Sequence, residues 1–213
     1  MAVSDPLVMP LARELLECLR QEIAKVLDPP LYVQLRPGNV VDHLLSTQED
    51  ECCSGLAWVR PGPFYPASAV FPVQDPAPQP KGVSAWAVTL ELGAVRCAPT
   101  GDENRIPTGH EWDETTQAVM DDAAAMRRAI CCFIDAKQNR AKNVLPGIWT
   151  PLSVQGGCVG GILPVTVRGP ACDCSEAGPE SHSARSSFQA QTALTATIAY
   201  GRSSQRDGRK FCR

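Results

Sequence analysis

Ten cysteines, three histidines and a glycine cluster are the residues of this 213-residue chain most suited to chemistry. Cys172 and Cys174 form a Cys-x-Cys pair that could join Cys158, Cys97, His110 or the adjacent Cys52 and Cys53 around zinc. Structural zinc sites usually present Cys-x2–4-Cys knuckles, and the sequence contains none, so spacing favours no metal and no cofactor. Gly156, Gly157, Gly160 and Gly161 resemble a phosphate-binding loop in composition only. No Lys-Ser/Thr follows them, and they lead into a strand pattern rather than a helix N-terminus. Glycines at the mouth of a strand more often permit a tight turn or the close approach of a neighbouring backbone. A nucleophile would need a base beside it, and His43, His110 and His182 all stand in loop-like contexts, so no catalytic residue is expected. Asp121 and Asp122 fall on the polar side of a helical pattern, where a solvated face is expected, and Glu49, Asp50 and Glu51 have no matching acidic cluster.

The first residues, Met1 to Pro6, lack the basic start and apolar run of a secretory signal, which makes reduced, packing cysteines the expectation. A disulfide between distant cysteines, formed late in an exposed particle, is the competing reading. No window approaches 18 uninterrupted apolar residues, so no membrane span is expected. The formal charge of −3 is uneven: residues 175–213 carry six Lys/Arg against three Asp/Glu, leaving 14 against 20 in the body. An acidic body disfavours tight nucleic-acid binding, which needs clustered cations to neutralise phosphates. One domain over residues 1–174 and a basic extension over 175–213 are expected.

The elements that would position these groups are legible from periodicity. Leu7, Leu11, Leu15, Leu16, Leu19, Ile23, Val26 and Leu27 recur at helical spacing, with Ser4 or Asp5 as cap and Asp28-Pro29-Pro30 as stop. Leu31 to Arg36 alternates like a half-buried strand, and Ser54 to Arg60 follows as the next strand. Pro61 to Pro80 reads as an extended excursion, because Pro61, Pro63 and Pro66 exclude a central strand. Ser84 to Cys97 is the clearest strand, with Trp86, Val88 and Leu90 on one face. Val119, Met120, Ala123, Met126, Ile130, Phe133 and Ile134 define a second helix over Trp112 to Ala136, with Asp121, Asp122, Arg127 and Arg128 outward. Ile148 to Leu152, the glycine bend and a strand over Ile162 to Val167 follow. The four tryptophans, Trp58, Trp86, Trp112 and Trp149, fall about one per element and are expected between sheet and helices. The fold class is α+β, in the order α-β-β-β-α-β: a small, mostly antiparallel sheet covered by two amphipathic helices and joined by long Pro/Gly-rich loops.

Leu56-Ala-Trp-Val-Arg60 with Phe64-Tyr-Pro66, Leu90 to Pro99, Met126 to Cys132, and Trp149-Thr-Pro151 with the glycine bend resemble the neck proteins of long-tailed (siphovirus-type) phages of actinobacteria. The type they most resemble is the tail terminator. That resemblance implies a virion structural protein, assembled in the host cytoplasm, with two helices on a small sheet and no catalytic residues. It implies a hexameric ring capping the tail tube, whose partners are further copies of itself, the tail tube protein and the head-side stopper or connector. DNA would pass the lumen without specific binding, which an acidic wall would favour by repelling phosphate. Trp58, Arg60, Phe64, Tyr65, Gly156, Gly157, Gly160 and Gly161 are the candidate interface residues. A head-tail stopper or adaptor, built on a small barrel, is the nearest alternative, followed by a zinc-binding interaction module using Cys158, Cys172 and Cys174.

Overall fold

The computed structural model describes residues 5–38, 54–76, 83, 85–99, 101, 105–136, 140–155 and 157–170. All lie within one compact unit, Met1–Asp173. The extension 175–213, His43, His182, Gly156 and the acidic run 49–51 lie outside the described residues.

Helix α1 (Val8–Ile23) buries Ala12, Leu15, Leu16, Cys18, Leu19 and Ile23 on one face. Its free N-terminal donors are met by Asp5, whose carboxylate accepts from the Val8 N–H at 2.8 Å and the Met9 N–H at 2.6 Å. The helix ends four residues before Leu27. Its last turn tightens, with the Lys25 N–H donating to the Glu22 carbonyl and the Val26 N–H to that of Ile23, both at 3.3 Å. Leu27, expected on the apolar stripe, is therefore 97% exposed.

Helix α2 (Gly109–Asp135) starts with a capping box in which the Thr108 hydroxyl accepts from the Glu111 N–H and the Glu111 carboxylate accepts from the Thr108 N–H. Its core stripe is Val119, Asp122, Ala123, Ala125, Met126, Ala129, Ile130 and Phe133. This corrects two expectations. Met120 is exposed, and Asp122 points inward because it stands three residues after Val119 and four before Met126, in line with the stripe. The two helices run antiparallel, as the pairing of Glu22 with Arg128 and of Cys18 with Cys132 requires.

Six strands form one mixed sheet: β1 (Tyr32–Leu35), β2 (Leu56–Ala67), β3 (Ala85–Cys97), β4 (Val144–Pro146), β5 (Thr150–Gln155) and β6 (Cys158–Gly169). The order is β1-β2-β3-β6-β4, with β5 also paired to β6. Only β1 and β2 are parallel; the remaining pairs are antiparallel. β2 continues through Pro61, Pro63 and Pro66, where an excursion was expected. The reason is that β1 pairs only with Leu56 to Val59, so from Pro61 to Tyr65 β2 has β3 as its only strand partner among the described residues and needs no donors on its other side. A register shift between Pro61 and Phe64 absorbs the bend.

One sheet face, carrying Ala57, Val59, Val88, Leu90, Leu92, Leu163, Val165 and Val167, packs under both helices as the main core. Trp86 borders that core, as the alternation of β3 implied. On the opposite face Leu56, Trp58, Val95 and Cys158 form a second cluster, so Trp58 lies away from the helices rather than beneath them. Its indole occupies the space above Gly93, its partner across β2 and β3, where any Cβ would collide with the ring. Gly93→Val is accordingly expected to destabilise the fold by about 1–3 kcal/mol through overpacking. Urea unfolding would measure it, and a paired Trp58→Leu change should recover part of the loss.

The cysteines are not uniformly reduced. Cys18 and Cys132 form a disulfide with a Cα–Cα distance of 5.8 Å, joining the two helices, and Cys97 and Cys158 each take part in a disulfide. The antiparallel helix pair sets Cys18 and Cys132 within bridging distance, a juxtaposition across 114 residues that spacing could not reveal. Cys131 is a free, exposed thiol.

Candidate interaction surface

Of the eight candidate interface residues Gly156 lies outside the described residues, Trp58, Arg60, Phe64 and Tyr65 fall on β2, and Gly157, Gly160 and Gly161 fall at the start of β6. Trp58 is 1% exposed and belongs to the interior. Arg60 extends over the same face to Glu91, with Nε and Oε1 2.6 Å apart, and its Nη1 donates to the Gly38 carbonyl at 3.4 Å. The Tyr65 hydroxyl donates to the Pro72 carbonyl at 3.0 Å. Gly157, at φ 77°, supports the turn between β5 and β6, the use expected of it. Gly160 faces the backbone of Ala94 and Val95, and Gly161 leaves room for the Trp149 ring, so both serve packing. Of the eight, Phe64 is the large apolar side chain that stands in solvent, touching Trp86 edge-on at 6.0 Å.

The largest electrostatic feature escaped sequence reading. Arg96, at the end of β3, donates from Nε to Asp122 at 2.5 Å and from Nη2 at 2.7 Å, while Nη2 also donates to the Asp28 carbonyl at 2.6 Å. The Asp28 carboxylate accepts from Nη1 at 3.2 Å. Burial pushes the Asp122 carboxyl above its ordinary range, and the hydrogen bond and charge of Arg96 offset part of that. Burial opposes the charge on Arg96 too, but its hydrogen bond to Asp122 and the nearby carboxylates outweigh that and raise its pKa. The position of Asp122 within an otherwise apolar i, i+3, i+4 stripe was the available signal.

Beside this network lies a cleft of about 270 Å³ between the end of α1 and the first turns of α2, lined by Val26, Leu27, Asp28, Glu114, Gln117 and Asp121. Arg96 at its base already serves two carboxylates, so it is spoken for as an anion binder. His110 stands in solvent, with Nδ1 3.7 Å from the Glu114 carboxylate. Among the described residues no group of three His, Cys, Asp or Glu is placed to hold a metal ion. Cys158, the described member of the zinc alternative, is disulfide-bonded and offers no thiolate; Cys172 and Cys174 lie outside the described residues. No described helix is long and apolar enough to cross a membrane.

The sheet edges carry a further pattern. β1 is four residues long, and the Val33 carbonyl accepts from Arg20 of α1 at 3.2 Å. The proline half of β2 lacks donors at Pro61, Pro63 and Pro66, and the far edge holds Pro146 in β4 and Pro151 in β5. Short length, prolines and an occupied carbonyl are the devices that keep a free edge from recruiting another strand. Both edges are nonetheless poor in charge. Residues Pro61 to Gln74 and Val144 to Val167 contain no Asp, Glu, Lys or Arg, in a chain of which 20% is charged.

No protein-family model matches this chain, and no curated protein matches it.

Proposed function

We propose that this chain is a structural protein of the phage tail terminator kind, which forms a ring that caps the tail tube and joins it to the head-side connector. The observation that carries the reading is the layering. Two antiparallel helices cover one face of a six-stranded sheet, and two helices on a small sheet is what the sequence resemblance implies. The described strands follow one open order from β1 to β4, which favours a terminator over a barrel-built stopper. The network at Arg96 supports the same reading, because its charged groups are committed to holding β3, α2 and the end of α1 together rather than to a reaction. In this role the chain assembles in the host cytoplasm and resides in the virion neck. Its partners are its own copies, the tail tube protein and the stopper, and DNA crosses the lumen without specific contacts.

Negative-stain imaging and sedimentation velocity of the full chain, alone and mixed with assembled tail tubes, test the proposal. Rings of uniform diameter, free or seated on tube ends, are the expected result. A chain that stays monomeric in both conditions and leaves tube ends bare would overturn it.

A further inference from the structure

We propose that the Cys18–Cys132 bridge is a redox-responsive lock on the helix pair, closed and opened by small thiols and disulfides of the glutathione type that enter at Cys132, with Cys18 as the resolving sulfur. The exchange goes beyond the assembly reading and needs no partner chain.

The two sulfurs are unequal in exposure. Cys18 is 5% exposed and belongs to the main core, whereas Cys132 is half-buried at the border of that core. Exchange begins when a thiolate attacks one sulfur of the bridge, and access decides which one. A tripeptide thiol can approach Cys132 from solvent, while Cys18 must first be uncovered by local opening of the helix pair. Leaving-group chemistry works against the same route, because attack at Cys132 expels the Cys18 sulfur as a thiolate into apolar surroundings that disfavour charge. That slows opening without redirecting it, since a sulfur out of reach is not attacked at all.

The packing that brings the sulfurs together is not made by the bridge. Leu15, Leu19 and Ile23 of α1 share one core cluster with Ala129, Ile130 and Phe133 of α2, and Glu22 pairs with Arg128 at 3.0 Å, one turn along from each cysteine. Reduced Cys18 and Cys132 therefore stay within bridging distance, and closure needs only an oxidant. In closure the Cys132 thiolate attacks oxidised glutathione, forming a mixed disulfide and releasing one glutathione thiolate, which takes up a proton. Cys18 then loses its proton and displaces the second glutathione, so two protein thiols are oxidised and one glutathione disulfide is reduced to two thiols. Opening is the reverse. Cys131, exposed and free, can take the first step as well, but Cys18 is set against Cys132, so an adduct on Cys131 is not resolved.

The test uses the full chain in a Cys131→Ser background, with adducts mapped by peptide mass spectrometry after exposure to oxidised glutathione. Cys18→Ser leaves Cys132 free and Cys132→Ser leaves Cys18 free, without disturbing the other bridges. Cys18→Ser should accumulate glutathione on Cys132, and Cys132→Ser should modify Cys18 at least about tenfold more slowly, because the core must open first. In denaturing urea the two rates should converge, which separates shielding by the fold from intrinsic reactivity. The parent with both cysteines should open in excess reduced glutathione, close again in oxidised glutathione and carry no lasting adduct on either sulfur. Circular dichroism of Cys18→Ser should show the helix content of the parent. Equal modification of Cys18 and Cys132 in variants that keep that content would overturn the assignment of the entry sulfur. Loss of helix in Cys18→Ser, or a parent bridge that neither opens nor closes with glutathione, would overturn the lock. Brief oxidation of the opened parent with an acid quench gives the order without the serine variants: a mixed disulfide caught on Cys132 supports it, and one caught on Cys18 refutes it.

Discussion

Asp122→Ala is expected to lower the free energy of unfolding by about 3–5 kcal/mol, the usual cost of stranding one member of a buried ion pair. Arg96 would lose the acceptor that takes two of its donors, at 2.5 and 2.7 Å, while its contact with Asp28 involves a carboxylate largely in solvent. The damage should concentrate where β3, α2 and the end of α1 meet. The companion experiment separates charge from packing. Arg96→Met combined with Asp122→Leu removes both charges and restores apolar volume, and should recover most of the loss, because an apolar pair in a buried site is often as stable as the ion pair it replaces. Denaturant titration of the single variants and the double variant closes the cycle. An Asp122→Ala protein as stable as the wild type would mean that Arg96 does not need Asp122, and the pair would lose its structural importance.

Removing the bridge between the helices should have a comparable effect. Cys18 and Cys132 are separated by 114 residues, and chain-entropy arguments assign about 4–5 kcal/mol to a loop of that length, with about 2–5 kcal/mol the usual measured range. Cys18→Ser is expected to lower the thermal midpoint by roughly 10 °C or more, taking about 2–4 °C per kcal/mol for a domain of this size. Cys131→Ser, one residue from the bridge, should change stability little, because its thiol is exposed and unpaired. That contrast makes the neighbouring substitution an internal control. A wild-type protein whose midpoint is indifferent to reductant would show that the helices hold without their crosslink.

The physics explains which parts of this molecule its sequence disclosed. Helices and strands announce themselves by periodicity, and so Leu15, Leu19, Phe133, Val88 and Leu90 were readable as core before any coordinate was known. Residue type misled where position decided. Asp122 was assigned to solvent for its carboxylate although its place in the helix aligns it with Val119 and Met126. The prolines of β2 exclude a central strand and so read as an extended excursion, because nothing local reveals that β1 stops opposite Val59 and leaves them an edge. Long-range relations were the least accessible. The Cys18–Cys132 bridge and the Arg96 network join residues far apart in the chain, and no spacing rule encodes such meetings. Of the candidate interface residues, aromatic character selected Trp58 as readily as Phe64, although Gly93 opposite Trp58 gives it a place inside.

Arg20 reaches from α1 to the carbonyl of Val33, so the first helix does more than roof the core. It acts as a safety catch on the outermost strand. A nascent or truncated polypeptide in which that helix has not settled would offer a bare row of backbone acceptors to whatever extended chain drifts past. Deleting the opening two dozen residues should therefore yield sticky, fibril-prone material rather than a merely weaker version of the same particle.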